Sequence, residues 1–354
     1  MAKERVLTRR ELNRALLERQ LLLERKVLSP VKAVERLGGL QAQSTTSPYL
    51  SLWTRLEEFE RDQLVRALKA RRLVKAIIQR GTLHIVTPSD YWAFATARRE
   101  LGGTLWPPSY EARLPTARLA QLALSVAAEL DGSELTFKEV RALLEPHEQP
   151  GLSPTFIWRR IQGQAYVVHV SPSGIWGYGG QGVYTAAQGT VSGAPPPPED
   201  AFDQLVRSYL AAYGPATKHD IGQWAGIPRL APISASLERQ SLRTFRDEQG
   251  RALYDLPRAP LPSADTPAPV RLIPRFDNLV LSHADRSRIL GDIPPSRIVT
   301  NNGIVHATIL VDGFVAGTWQ LEQGRVALEP FAPPARSVQL ALKDEIERLE
   351  TFVE

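Results

Sequence analysis

Two glutamines separated by one residue, Gln41 and Gln43 in the run LGGLQAQ (37–43), have the most suggestive spacing in the chain. The run leaves a predicted helix through Gly38 and Gly39, so 41–43 is expected to be extended, and residues two apart in an extended chain share a side. In a helix the two would stand about 200° apart and could not cooperate. A primary amide offers two N–H donors and a carbonyl acceptor, enough to hold a water molecule or to read a base edge. Taken alone, a glutamine pair is more often a local hydrogen-bonding feature than a catalytic centre, and that plainer reading stands beside the chemical one.

Other constellations carry less. His84, His147, His169, His219, His283 and His306 show no HxH or HxxxH ligand spacing, and with no cysteine in the chain thiolate metal sites, cysteine nucleophiles and disulfide scaffolds are excluded. No metal and no organic cofactor is expected. Walker loop, HExxH and GxSxG motifs are missing. The stretch Gly177–Gly182 looks superficially like a phosphate loop, but no helix opens after it, so a flexible hairpin exit is the better reading. Asp277, His283 and Asp285 in PRFDNLVLSHADR form a tempting acid–base cluster. Asp277 suits the cap of a turn after Pro274, and His283-Ala-Asp285 suits an Asx-type loop, so a structural role is preferred for both.

Charge points more firmly to a partner. The 354 residues hold 43 Lys plus Arg against 38 Asp plus Glu, a net +5 that is thin for this length. Residues 1–80 alone hold 18 against 9, a balance of +9, and the rest is net negative. A basic N-terminal quarter is what a phosphate backbone would meet, although arginines paired with Glu11, Glu18 and Glu24 on a solvated helix face account for part of it. Candidate DNA contacts are Lys69, Arg71, Arg72 and Lys75, then Arg80 and His84 around the first hairpin, with Arg275 and His283 further on; for His84, packing on its own sheet is an equal reading. Trp53 and Trp92 are better read as core than as base-stacking wedges. No apolar run approaches the ~20 residues of a spanning helix, and Met1-Ala-Lys-Glu-Arg-Val lacks a signal-peptide core, so a soluble, cytoplasmic, nucleoid-associated protein with no membrane contact is expected.

The elements that must position these groups recur in one order. Residues 8–25 read as a helix with Thr8 and Glu11 in capping-box spacing. Helices over Pro30–Leu37 and Arg61–Ala70 follow, and Lys75–Val86, split at Arg80-Gly81, is a hairpin. The outline returns with a helix at 117–130, FKEVRALL capped by Thr136, FIWRRIQ opened by Ser153-Pro154, and a hairpin pairing Ala165–Val170 with Ile175–Tyr178. After a linker (186–200) it appears again: helix 202–214, KHDIGQWAG capped by Thr217, a short helix near 229–239, and strands Leu242–Phe245 and Ala252–Leu256. A proline-rich linker (257–269) then gives way to short strands, including Val270–Ile273, Asn278–Ser282, Ile304–Val311, Phe314–Leu321 and Val326–Leu328, and to a closing helix over 334–353. The fold expected is mainly α with β: three tandem winged-helix modules around a C-terminal small β-barrel or antiparallel sheet. The boundaries are 1–115, 116–190, 191–262 and 263–354.

LGGLQAQ (37–43), SLWTRL (51–56), RGTLHIVTPSDYWAF (80–94), FDNLVLSHADR (276–286) and VDGFVAGTW (311–319) together resemble the winged-helix DNA glycosylases that unhook interstrand crosslinks. The resemblance runs over nearly the whole chain, and five phrases in the right order are fairly specific. It implies tandem winged helices around a C-terminal β-module. It also implies a catalytic Gln-Φ-Gln signature, here Gln41-Ala42-Gln43 with a small apolar residue at the centre, and the absence of Asp at 43 sets aside the Gln-Φ-Asp branch. The partner implied is double-stranded DNA carrying alkyl or crosslink lesions, met by a monomer, because tandem modules supply what a regulator gains by dimerising.

Two glutamines suffice for such chemistry only if the leaving group needs little help. An N7-alkylated guanine already carries a positive charge and departs neutral without prior protonation, so orienting a water beneath C1′ and holding the lesion is most of the task. A crosslink hinders extrusion into a closed pocket, which favours an open cleft. The function expected is therefore a monofunctional DNA glycosylase for N7-alkylpurines and crosslinks, with Gln41 and Gln43 catalytic. The alternatives are a non-enzymatic winged-helix transcription regulator, or a relative that kept the fold and lost the chemistry.

Overall fold

The computed structural model describes residues 4–101, 112–148 and 151–354. Strand β1 (Val6–Leu7) leads into helix α1 (Arg9–Arg19), where Thr8 and Glu11 close the expected capping box, Glu11 accepting from the Thr8 backbone N–H at 2.9 Å. The helix stops at Arg19, short of the expected end at Arg25. Leu21 takes a φ of 57°, and the chain turns so that Leu21 and Leu22 both enter the core.

The first unit follows: α2 (Pro30–Arg36), β2 (Leu40–Gln41), α3 (Ser47–Trp53), α4 (Arg61–Lys69), β3 (Val74–Ile77) and β4 (Leu83–Val86). Helix α5 (Pro88–Glu100) completes it, started by Thr87, whose hydroxyl accepts from the Asp90 N–H. The sequence pattern showed neither α3 nor α5. Every residue of α3 is buried, and α5 is buried nearly all round, so neither presents the one-sided apolar stripe that marks an amphipathic helix.

The second unit repeats the connectivity: α6 (Thr116–Leu130), β5 (Leu135–Thr136), α7 (Phe137–Leu144), α8 (Pro154–Ile161), β6 (Val167–His169) and β7 (Val183–Ala186). Thr136 and Ser153 cap α7 and α8 as expected. The return strand is 183–186 and not Ile175–Tyr178. The Tyr49 hydroxyl donates to the Gly174 carbonyl at 3.0 Å and accepts from the Trp176 N–H at 3.1 Å, holding that stretch against α3 and away from the sheet. The third unit comprises α9 (Pro198–Tyr213), α10 (Lys218–Ala225), α11 (Ala231–Arg239), β8 (Arg243–Asp247) and β9 (Ala252–Asp255), with Ala216 bridged to Tyr254 where the other units have their first strand.

The first two units join edge to edge. Lys75 of β3 lies opposite His169 of β6, making one six-stranded sheet in the order β2-β4-β3-β6-β7-β5. In the third unit β1 pairs in parallel with β8, tying the start of the chain to it. The C-terminal part holds β10 (Arg271–Ile273), α12 (Ser287–Leu290), β11 (Ala307–Val311), β12 (Phe314–Glu322), β13 (Arg325–Pro330) and α13 (Arg336–Val353). Its sheet, in the order β10-β11-β12-β13, is open and antiparallel, so the expected barrel does not close: β10 and β13 remain the two edges, with α13 packed on both. Asn278–Val280, expected as strand, is a 3₁₀ turn capped by Asp277.

One apolar core crosses the units, joining Leu16 of α1, Trp92 and Phe94 of α5, Tyr209 of α9, Trp224 of α10 and Leu310 of β11. Helix α9 packs along α5, and the turn of the β3–β4 hairpin sits against α10. The first and third units thereby meet at the segment that carries Arg80. Among the described residues no helix is long and apolar enough to cross a membrane.

Candidate active site

Gln41 lies in β2 opposite His84 of β4, and the Ala42 N–H donates to the Leu83 carbonyl at 2.7 Å, carrying the extended pairing one residue further. Gly39 permits this close approach: a Cβ there would stand 2.7 Å from the Val86 side chain, and its φ is 97°. Ala42 is buried in the core. Gln41 is also buried, and its Oε1 accepts from an Arg80 Nη at 2.9 Å. Gln43 is exposed, with its Oε1 accepting from the Leu83 N–H at 3.1 Å. Both amides are thus anchored by the same hairpin, one at its turn and one at the first residue of its return strand.

Arg80 occupies the tip of that turn with a φ of 53°, uncommon for a residue with a side chain. Its partly buried guanidinium donates to Gln41 Oε1, to Asn278 Oδ1 at 2.7 Å and to the Trp224 carbonyl at 2.8 Å. His84 completes the ring. Its Nδ1 lies 3.0 Å from the Thr82 carbonyl and must carry the proton, which leaves Nε2, 3.5 Å from Arg80, as an acceptor. Burial, and after it the Arg80 charge, hold the His84 imidazole down at about 3, so it is neutral. Burial, reinforced by nearby Arg286, lowers Arg80 itself to about 10, still charged at neutral pH.

Beyond Arg80 opens a cleft of about 870 Å³ between the first hairpin, α8 of the second unit and the α10–α11 region of the third. Arg80, Arg98, Arg159 and Arg160 line it together with His219 and Gln223, and among the described residues none of its lining is acidic. Burial and the neighbouring Arg160 push Arg98 down to about 10. Its Nη1 donates to the Ile78 carbonyl at 3.2 Å, and its Nε finds no partner among the described residues. A concave wall of neighbouring guanidinium groups is suited to a polyanion. Arg98, Arg159, Arg160, Asn278 and Arg286 were not singled out from sequence. The one available signal was the Arg159-Arg160 pair at the end of FIWRRIQ.

The remaining expected contacts lie elsewhere. His84 and His283 are buried and cannot reach a phosphate. The His283 ring bonds to the Tyr213 carbonyl at 3.1 Å and to Ser282 at 2.9 Å. Lys75 sits mid-sheet beside His169, its ammonium pushed down to about 8 by burial. Lys69, Arg71 and Arg72 are exposed at the end of α4. Lys69 and Arg71 line a separate 140 Å³ pocket, and Arg71 pairs with Glu134 at 3.2 Å. Arg275 is exposed and lies over the Phe276 ring at 5.4 Å. Asp277 is structural, as preferred from sequence: it accepts from Leu279 N–H and from both Nη groups of Arg55 at 2.8 and 2.9 Å. Asp285 accepts from Ser287 N–H and pairs with Arg251. Trp53 and Trp92 belong to the core. Among the described residues no group of three His, Asp or Glu side chains could hold a metal ion.

The comparisons with known proteins agree with one another. The interstrand DNA cross-link repair glycosylase of Streptomyces sahachiroi is 26% identical over 349 residues, covering 93% of this chain and 92% of that protein. The solved structure of the Streptomyces sahachiroi DNA glycosylase AlkZ superposes with a TM-score of 0.84 at 22% identity, covering 98% of this chain and 97% of that one, a likeness of fold. A family model described as DNA glycosylase AlkZ-like matches residues 34–352. With that match spanning most of its length, the chain belongs to the AlkZ-like family of DNA glycosylases.

Proposed function

We propose that the protein hydrolyses the N-glycosidic bond of N7-alkylated purines in duplex DNA, unhooking interstrand crosslinks among them, with Gln41 and Gln43 positioning the attacking water. The observation that carries this is the placement of the pair. Gln43 is exposed, and Gln41 is bonded to an arginine that itself lines an open, arginine-rich cleft between three units. The repeated helix–strand–helix–helix–hairpin order supports reading these units as tandem winged helices, over 1–115, 116–190 and 191–262, with a β-module at 263–354. The cleft receives the DNA backbone, and a monomer holds the whole site.

In this mechanism the free lone pair of Gln43 Oε1 accepts a proton of the water, and the Gln41 Nε2 donates to the water oxygen. The oxygen bonds to C1′ as the C1′–N9 bond breaks. The bonding pair neutralises the cationic base, which leaves without needing an acid, and the surplus water proton passes to solvent. Because a positioned general acid is worth about 10²–10⁴-fold, neutral lesions such as uracil should be excised at least about 100-fold more slowly than N7-methylguanine. Membership of a glycosylase family stands against a regulator without chemistry.

Duplexes carrying N7-methylguanine or a defined N7–N7 crosslink, followed by cleavage at abasic sites, test the proposal. Product from both, lost in Gln41→Ala and Gln43→Ala with DNA binding retained, is expected. A protein that binds either duplex and yields no product from both overturns it.

A further inference from the structure

We propose that Arg80 is a positioning residue for this reaction, acting through Gln41 by fixing which end of its amide is turned away from the guanidinium; the inference rests on the function proposed above. A glutamine amide has two near-isosteric orientations, one aiming Nε2 outward and one aiming Oε1 outward. Only the first suits a partner that must donate to the water oxygen. Guanidinium has donors and no acceptor, so the atom 2.9 Å from Arg80 is Oε1 and Nε2 is left to face away.

The guanidinium is itself committed. Among the described residues each of its hydrogen-bond partners is an acceptor: Gln41 Oε1, Asn278 Oδ1, the Trp224 carbonyl and the unprotonated His84 Nε2. Asn278 is oriented in turn, its Nδ2 donating to the Gly39 carbonyl at 3.4 Å. Among the described residues no carboxylate is a hydrogen-bond partner of Arg80. Its backbone holds a φ of 53° in a turn where glycine would be unstrained. A strained, partly buried cation among neutral acceptors is costly, and such strain persists at sites where the side chain has work to do. The contact with Trp224 adds a further property: the orientation of Gln41 depends on the third unit being docked against the first.

A phosphate contact, the role expected from sequence, makes opposite predictions, so the experiment separates the two. Single-turnover excision of N7-methylguanine and DNA affinity across a salt series are measured for wild type, Arg80→Ala, Arg80→Lys, Gln41→Ala and the Gln41→Ala/Arg80→Ala double variant. Positioning predicts a saturating rate lower by about 10- to 100-fold in Arg80→Ala with affinity within about twofold, partial recovery in Arg80→Lys, and less than about threefold further loss when Arg80→Ala is added to Gln41→Ala. An unchanged saturating rate with weakened binding and a salt slope reduced by about one unit overturns the proposal, as do fully multiplicative effects in the double variant. Where Arg80→Ala fails to fold, Arg80→Lys carries the test. The side-chain amide NMR signals of Gln41, identified by their loss in Gln41→Ala, should shift in Arg80→Lys, and signals that stay in place overturn the proposal. That readout needs no excision, so a failure of the glycosylase assignment remains distinguishable.

Discussion

Gly226 and Arg80 meet backbone to backbone: a Cβ on residue 226 would stand 2.6 Å from the Arg80 Cα and 2.8 Å from its nitrogen. Gly226 ends α10 with a left-handed φ of 74°. The carbonyl of Trp224, in the last turn of that helix, receives the Arg80 guanidinium. The turn beside the glutamine pair is therefore seated on the negative end of a helix from another unit, where a cation is favoured.

Replacing Gly226 by Ala should damage this seat specifically. A methyl group cannot be placed 2.6 Å from backbone atoms without moving one of the two units. The left-handed conformation adds its own penalty, for a combined loss of about 2–4 kcal/mol. Calorimetry should show a lowered Tm, and excision should fall with it. An unchanged Tm would mean that the two backbones are not in contact.

Much of this arrangement was legible in sequence wherever the physics is local. Thr8, Thr136, Ser153 and Thr217 cap helices as their spacing indicates, and the β-branched runs around Arg80-Gly81 form the hairpin. Gly38 and Gly39 announced the strand that holds Gln41, and its pairing runs on through Ala42 and ends at a bend at Gln43, so one amide is buried and the other exposed. The arginine cleft was not legible, because Arg80, Arg98 and Arg159 belong to different helices and turns and converge only on docking. The burial of His84 was one of two equal readings and that of His283 was not legible, since an isolated histidine in an apolar run gives the same pattern whether it faces solvent or core. Lys75 shows the limit of charge counting: it lies in the basic stretch, yet its position in β3 puts it inside a sheet shared by two units.

The buried pair of Arg55 and Asp277 links the segment just after α3 to the turn that presents Asn278. Both side chains are almost wholly enclosed, and Ser51 also donates to Asp277, at 2.5 Å. Asp277→Ala should leave Arg55 uncompensated and cost about 3–5 kcal/mol in denaturant unfolding, more than Arg55→Leu/Asp277→Leu together. If Asp277 were instead a reacting acid, its alanine variant would keep wild-type stability and lose only rate.

The buried histidines set an acid limit on stability. His84 and His283 are each held down at about 3, primarily by burial and next by Arg80 and Arg288 respectively. The native state keeps both neutral while the unfolded chain protonates them below about 6.5. The unfolded state then binds more protons, so stability is full above pH 6.5 and falls as pH drops toward 3. Each histidine contributes a slope of about 1.4 kcal/mol per pH unit in that window. Urea midpoints for wild type and His283→Gln between pH 4.5 and 7.5 should show the variant losing about one histidine's share of the slope. Identical slopes would mean that His283 is protonated in the native state.

Arg159 offers the cleanest separation of binding from chemistry. It lies exposed in the last turn of α8 on the wall of the cleft, away from the hydrogen bonds that tie Arg80 to Gln41. If the cleft receives the DNA backbone, Arg159 meets phosphate and releases one counterion on binding. Arg159→Ala should then weaken affinity equally for damaged and undamaged duplexes and reduce the slope of log affinity against log salt by about one unit. The excision rate at saturating enzyme should stay at the wild-type value, because nothing that orients the glutamines has moved. Fluorescence anisotropy over a salt series, paired with single-turnover kinetics on the same duplex, measures both quantities. A variant with unaltered salt dependence would place the DNA outside this cleft.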